Sequence, residues 1–518
     1  MCAKGPRRGM LGGMSELQRR TPPGPKIALV QTFRYARDAY GYLLDCHKRW
    51  GDTFLIPALN GPLVMVCAPA EIQQVFAADP DTFVPFGADS YTPLLGERSL
   101  LALSGQRHRR ERKLLTPAFH GARMRAYAAT IRRAALAAMD QWRPGEVFTM
   151  QRSTQWISLE VILRAVFGVQ DEQRIAEFRR AIVDMVDAAV PSLMFFKFMR
   201  RPWGGLSPYN RFVEVMARME ALIFGEIAAR RGRPEVVGED ILSMMLAARH
   251  EDGSGMSDLE LRDELLTLLF AGHETTGIAL AWACYWLHRD PAALERARAE
   301  VDALGDEPDP EALAKLPYLD AVCSETLRLH PIAPDVPRTL ARPLEVGGYQ
   351  LAPPLGVAVT TTVLHQREAL YPEPTKFRPE RFLERRFSAF EYTPFGGGAR
   401  RCIGAAFATY ELKIVLATFL RGAHLELAEP GEREHLSAWA LAMDQGCRSA
   451  EVPAGVRFVG REGGQLAVEL KRDLSDADEA ALVRWLLRGR WPAGARFRPG
   501  SEAPRKGIQV SAHTATGP

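Results

Sequence analysis

Phe395-Gly-Gly-Gly-Ala-Arg-Arg-Cys402-Ile-Gly404 is a glycine-rich loop ending in a single cysteine, and an apolar helical pattern follows it from Ala405 to Leu420. The cysteine therefore stands at a helix entrance, where the helix N-terminus and the guanidinium groups of Arg400 and Arg401 favour a thiolate. Glycines at 396 to 398 allow backbone to pass close to a flat cofactor, and Gly404 leaves room behind the sulfur. The plain alternative is a glycine-rich turn around a buried, inert cysteine. The surrounding sequence decides between the two.

Working outward, Glu325-Thr-Leu-Arg328 places a carboxylate and a guanidinium three residues apart, on one face of a helix. Alone this spacing describes many solvated surface pairs of little energetic weight. Downstream stands Phe377-Arg378-Pro379-Glu380-Arg381-Phe382, a possible source of a second arginine. Upstream, Ala271-Gly272-His273-Glu274-Thr275-Thr276 falls in the middle of a long helical pattern. A glycine beside threonines that can bond backward to carbonyls is expected to kink or widen a helix there and to admit water. His273-Glu274 does not continue into a zinc-protease motif, because position 277 is glycine where a second histidine is required. A cationic run, His108-Arg-Arg-Glu-Arg112-Lys113, puts His108 and Arg112 one helical turn apart.

Bulk properties narrow the class. Hydrophobic residues make up 47% and charged residues 25% of 518 residues, the balance of a globular chain with a large core. A net charge of +4 gives no general basic field for nucleic acid. The seven cysteines (2, 46, 67, 284, 323, 402 and 447) are odd in number and scattered, which argues for a reducing compartment and for a cysteine that acts singly. No stretch reads as a signal peptide or a membrane-spanning helix, so the expected location is the cytoplasm.

The Pro-rich Thr21–Lys26 leads into the folded part after a flexible segment 1–21. Leu55–Cys67, broken by Asn60-Gly61-Pro62, reads as a small hairpin. Helical patterning dominates from Arg107 to Leu287, including Ala122–Trp142 and Tyr209–Arg230. Ser257-Asp-Leu-Glu260 resembles a capping box, opening a helix to about Arg289. Strand signals return from Leu340 to Val363, with Val357–Val363 the most β-rich run. The class expected is α+β, mainly helical with small sheets.

Taken together, Phe395, Gly398, Arg400, Cys402 and Gly404 match the haem-ligand signature of the cytochrome P450 family, and the resemblance extends over residues 22–429 with the other motifs in the family's order. The resemblance implies the P450 fold, haem b as cofactor, and a monooxygenase that inserts one atom of O2 into its substrate. Cys402 would be the axial iron ligand, whose electron donation favours O–O cleavage, with Phe395 shielding the sulfur. Glu274 and Thr275 would be the acid–alcohol pair relaying protons to bound oxygen. His108, Arg112, Arg338 and Arg400 would hold the haem propionates, although many relatives carry tryptophan where this chain has His108. Glu325, Arg328 and Arg381 would form a buried structural triad.

The same resemblance places an apolar pocket at Phe83, Phe86, Leu94, Leu95, Leu268, Ala271, Ile332, Ala333 and Val336, with Pro191–Arg200 at its entrance. The overall character is similar to soluble bacterial members acting on fatty acids or terpenoids. No dinucleotide fingerprint follows a strand and only 89 residues follow Glu429, too few for a flavin reductase, so electrons are expected from a separate ferredoxin-type donor with an NAD(P)H-dependent reductase. Its docking face is expected near Arg400, Arg401 and Lys413. The protein is expected to act as a monomer. Residues 430–518 depart from the family: Ala440–Met443 is a candidate pocket loop, Ser475–Leu487 a candidate helix, and the remainder an appendage or divergent end. Rival readings are a haem-thiolate isomerase or peroxygenase, against which Glu274-Thr275 speaks, and a non-catalytic haem-binding protein.

Overall fold

Ser257 begins the longest helix among the described residues, Asp258–Arg289, and does so by chemistry legible in the sequence. Its hydroxyl accepts from the Glu260 N–H, while the Glu260 carboxylate accepts from the Ser257 N–H at 2.8 Å. With 32 residues this central helix is about 48 Å long. Arg289 occupies its last turn, where positive charge suits the helix dipole. The computed structural model describes residues 21–427, apart from 120–122, 144–146, 191–192, 194–198, 202–206, 234–237 and 306–307. Residues 428–518, with the candidate loop at Ala440–Met443 and the candidate helix at Ser475–Leu487, lie outside the described residues, as does most of Pro191–Arg200.

Residues 258–289 form one α-helix that runs through Gly272 without interruption. The glycines serve packing. The helix Met150–Val161 crosses here and runs into a π-turn at Ile162–Val166. A β-carbon on Gly272 would lie 2.9 Å from Ile162 Cδ1, and one on Gly277 would lie 3.0 Å from Gln155 Cα. The close approach lets two hydroxyls of the crossing helix bond to central-helix carbonyls: Ser158 Oγ donates to the Gly272 oxygen at 3.1 Å and Thr154 Oγ1 to the Gly277 oxygen at 2.7 Å. An irregular turn lies in the neighbour, at Ile162–Val166.

The helix Ala405–Gly422 and the helix Pro317–Leu329 also pack on the central helix, and their apolar faces share one large core with Arg123–Met139 and Pro208–Arg231. The mainly helical class with small sheets is thus the observed one. One sheet has the strand order β1-β2-β7-β4-β3, built from β1 (Thr53–Ile56), β2 (Leu63–Val66), β3 (Phe83–Pro85), β4 (Val336–Leu340) and β7 (Gly356–Val359). β1 and β2 form the antiparallel hairpin read around Asn60-Gly61-Pro62, with Ile56 opposite Leu63. β5 (Leu344–Val346) and β6 (Tyr349–Leu351) pair separately.

The run Val357–Val363 is a strand only as far as Val359; Thr361–His365 is a short helix. Propensity favours strand for these residues, but tertiary bonding overrides it. His365, fully buried, accepts the Thr393 N–H at 3.0 Å through Nε2 and places Nδ1 3.2 Å from the Arg328 carbonyl. An extended chain would carry it away from both.

Candidate active site

The cysteine loop turns sharply before its helix. Gly398 has φ of 64°, and a β-carbon there would sit 2.5 Å from the Phe76 carbonyl oxygen. The glycines thus meet Phe76 closely, a constraint not apparent from the sequence. Beyond them the Cys402 N–H donates to the Phe395 oxygen at 2.9 Å, closing the loop. The Cys402 side chain is solvent-accessible yet surrounded closely enough that burial pushes its thiol pKa up. Together these describe a side chain facing a recess. The Gly404 N–H, Arg401 and Arg112 act in the opposite direction, favouring the thiolate. The expectation named Arg400 beside Arg401; Arg400 is not among the groups acting on the thiol, and it donates to the Leu103 carbonyl from a place close to His108 and Arg338.

Four nitrogen-bearing side chains gather beside this loop. His108 is buried, and its imidazole is pushed down to about 4 by burial and then by Arg400, Arg112, Arg109 and Arg338. At neutral pH it is an uncharged ring able to donate one hydrogen bond. Arg338 is 4% exposed and drawn down to about 10 by burial and by Arg400. One of its nitrogens donates to the Gly397 oxygen at 2.6 Å, its plane lies over Phe76 and Phe83, and its Nε is buried with no partner. Arg112 donates to the Arg401 carbonyl at 2.6 Å. No carboxylate figures among the groups acting on Arg338 or Arg112. Arg338 is a buried cation without a counter-anion, which is costly, and the half-buried Arg112 and Arg400 stand beside it, so the cluster suits a ligand with anionic groups. The carboxylates of haem b fit that requirement, and the accessible Cys402 sulfur fits its iron.

On the central helix Glu274 is buried, with Oε2 unpartnered, and burial alone raises its carboxyl to about 7. Thr275 Oγ1 bonds back to the Ala271 carbonyl at 2.5 Å, and both Thr275 and Ala271 retain accessible surface. His273 is held neutral, its imidazole pushed down to about 4 by burial. This stretch therefore presents a carboxyl able to gain or lose a proton near neutrality beside a hydroxyl.

The Glu325 carboxylate lies at 0% exposure and is fully engaged. Arg328 donates to both its oxygens, at 2.7 and 2.8 Å; Arg381 Nε donates to Oε1 at 3.0 Å, and the Arg378 N–H to the same oxygen at 2.9 Å. Arg328 also reaches the carbonyls of His365 at 2.8 Å and Lys376 at 3.3 Å. The carboxylate thus ties its own helix to the segment 378–381, and Arg328 ties both to His365 and Lys376.

Several expected positions are corrected. Phe83, Leu94 and Leu95 are 2%, 3% and 1% exposed and belong to the core, so they present no pocket surface. Phe86 keeps accessible surface and lies near Gly356 at the sheet. Leu268, Ala271, Ile332, Ala333 and Val336 do keep accessible surface. Lys413 is ion-paired with Asp320 at 2.8 Å, and with Arg400 turned inward only Arg401 of the three expected docking cations is openly exposed. Sequence reasoning missed Glu411, which is buried with Oε1 unpartnered and is pushed up to about 8 by burial. Its spacing nine residues after Cys402 was the one available signal.

The chain matches the family profile for cytochrome P450 over residues 20–445. It is 37% identical over 444 residues to a Mycobacterium tuberculosis protein provisionally named cytochrome P450 135B1, covering 82% of this chain and 90% of the relative. It is 34% identical over 419 residues to one provisionally named cytochrome P450 137 from the same organism, covering 79% and 85% respectively. Among solved structures it is similar to cyanobacterial CYP120A1 with retinoic acid bound: TM-score 0.69, 26% identity, 80% of this chain and 96% of that one. Among the described residues no helix is long and apolar enough to cross a membrane.

Proposed function

Because this chain belongs to the cytochrome P450 family, whose members are haem-thiolate monooxygenases, we propose that Cys402 is the thiolate that holds haem b, with Arg112, Arg338, Arg400 and His108 binding its carboxylates and Phe395 and Gly404 flanking the sulfur. The observation that carries this reading is the accessible cysteine sulfur in the same loop region as a buried Arg338 whose Nε has no partner and on which no carboxylate acts. When bound, the haem supplies an iron centre that binds and activates dioxygen. His108, uncharged, donates a hydrogen bond without adding to the local positive charge. The test is the spectrum of reduced holoprotein under carbon monoxide, in which thiolate ligation gives a characteristic long-wavelength band. Its absence would exclude the assignment.

Glu274 holds the proton for this reaction and Thr275 orders the water that passes it on. Support comes from the burial of Glu274, its unpartnered Oε2 and the neighbouring hydroxyl. With its carboxyl raised from 4.5 to about 7, the proton is present below neutrality and lost as pH rises through 7. The fraction of oxygen released as peroxide rather than used in product is therefore expected to climb across that range. Glu274→Gln should lower product formation by about tenfold or more and flatten the pH profile. The raised carboxyl also destabilises the fold increasingly from pH 4.5 to about 7, where the unfolded chain ionises first. The Gln variant should lose that pH-dependent penalty, read as melting temperature against pH. A peroxide yield in wild type independent of pH would count against the role.

The substrate is an apolar hydrocarbon such as a fatty acid or terpenoid, bound against Leu268, Ala271, Ile332, Ala333 and Val336. Their accessible apolar surface supports this, as does the retinoic acid held by the cyanobacterial relative. A spectral titration in which only small charged aromatics bind would reject it. Electrons come from a separate ferredoxin-type protein served by an NAD(P)H-dependent reductase, in the cytoplasm, to a monomeric enzyme. Arg401, exposed beside the cysteine loop, is the docking cation. Arg401→Glu is expected to slow reduction by a surrogate ferredoxin several-fold at low salt and to weaken the salt dependence. An unchanged rate at every ionic strength would remove Arg401 from the interface.

A further inference from the structure

The segment 331–336 leaves the triad helix and enters β4, and its two sides differ in kind. Ile332, Ala333 and Val336 are half-exposed, whereas Pro331, Pro334 and Asp335 are buried. Every buried member is held by a hydrogen bond from behind. The Tyr40 hydroxyl donates to the Pro331 carbonyl, the Thr362 N–H donates to the Pro334 carbonyl at 3.0 Å, and the Tyr35 hydroxyl donates to Asp335 Oδ2 at 2.7 Å. The two tyrosines belong to the first helices of the chain, α1 (Ala28–Arg37) and α2 (Ala39–Trp50), 300 and 291 residues away in sequence.

The ends of the segment are fixed independently. Upstream, the His330 ring stacks on Trp282 at 3.6 Å between centroids; downstream, Arg338 is paired in β4 and bonded to Gly397. The donors behind it are fixed as well. Tyr35 meets Tyr42 edge-on at 6.3 Å, and the Tyr42 hydroxyl donates to Gln31 Oε1 at 3.0 Å. An apolar contact between helix and wall would permit sliding, but a hydrogen bond to a buried carboxylate is directional and about twice as strong as a neutral one. Burying Asp335 at 4% exposure for one such bond is costly, which points to placement rather than stability as its use.

We infer that Tyr35 and Tyr40 are positioning residues: their hydroxyls set where the wall Ile332–Ala333–Val336 stands, and so what size of molecule fits beside it. This makes α1 and α2, remote in sequence from every motif, determinants of substrate size and orientation. The inference rests on the reading above, in which this wall faces the haem pocket.

The experiment uses purified holoprotein and two azoles read by the shift of the haem absorption band. Imidazole is small and tests access to iron, while 4-phenylimidazole must also fit beside the wall. Tyr35→Phe and Asp335→Leu are expected to keep imidazole affinity within about twofold of wild type and to change 4-phenylimidazole affinity by about fivefold or more. Asp335→Asn, which retains an oxygen acceptor for Tyr35, should stay within about twofold for both ligands. If Asp335→Leu leaves 4-phenylimidazole binding unchanged, or if Asn and Leu behave alike, the inference is overturned. The Asn and Leu pair decides this even where Tyr35→Phe yields no holoprotein. A wild-type protein that fails to bind imidazole at all would instead overturn the haem-site reading beneath it.

Discussion

Cys402→Ser is expected to erase the carbon monoxide band typical of thiolate ligation and to reduce product formation to background, while leaving the fold in place. Serine is close to isosteric with cysteine, and the loop is shaped by features that the substitution spares: the Cys402 N–H bond to Phe395, the left-handed Gly398 and the contact with Phe76. What changes is the donor. A thiol pushed up by burial still ionises when a metal replaces its proton, with Arg401, Arg112 and the Gly404 N–H favouring the anion. A serine hydroxyl, far less acidic and a harder donor, does not provide that ligand. A variant that kept both the band and the activity would place the axial ligand elsewhere and undo the site assignment. Loss of haem together with a large fall in melting temperature would mean that the loop itself needs the sulfur.

Arg328→Ala should have the largest effect on stability of any single change in the triad. It leaves Glu325, at 0% exposure, without its bidentate partner and frees the carbonyls of His365 and Lys376. Breaking a buried pair by removing one member typically costs about 3–5 kcal/mol, because the remaining charge stays desolvated. Arg328 also lies over the Tyr371 ring at 5.0 Å, so packing is lost along with charge. The expected result is a marked drop in denaturation midpoint and little haem retained per chain. Arg381→Ala should cost less, since Arg328 and the Arg378 N–H remain on the carboxylate. Equal midpoints for wild type and Arg328→Ala in a denaturant titration would refute the argument.

The parts of the site that were legible are those whose chemistry is local in sequence. The glycine-rich run into Cys402, the helix-spaced Glu325 and Arg328, and the Ser257–Glu260 cap each need only a few neighbouring residues, so spacing alone shows the geometry. Misreadings arose where distant segments compete with local preference. Gly272 suggested a local kink or widening, and the local pattern gave no sign that its missing side chain makes room for Ile162 of another segment. Val357–Val363 suggested a continuous strand, but His365 is bonded to Thr393 and turns the chain into helix. Phe83, Leu94 and Leu95 are apolar enough to line a pocket or fill a core, and composition does not distinguish the two.

By itself, then, the order of amino acids determined the family and the mainly helical class, and it placed Cys402 at the end of its glycine-rich loop and Glu274-Thr275 within the helix Asp258–Arg289, because each is written in short-range patterns of residue type. Only the folded chain decided which cations are available. Arg400 turns inward to a carbonyl, Lys413 is neutralised by Asp320, and Arg338 is left with an unpartnered nitrogen. It also decided that Tyr35 and Tyr40 reach across about three hundred residues to Asp335 and Pro331. The reason is physical: burial, pairing and the direction of a hydrogen bond depend on what arrives from elsewhere in the chain, and no local pattern encodes that arrival.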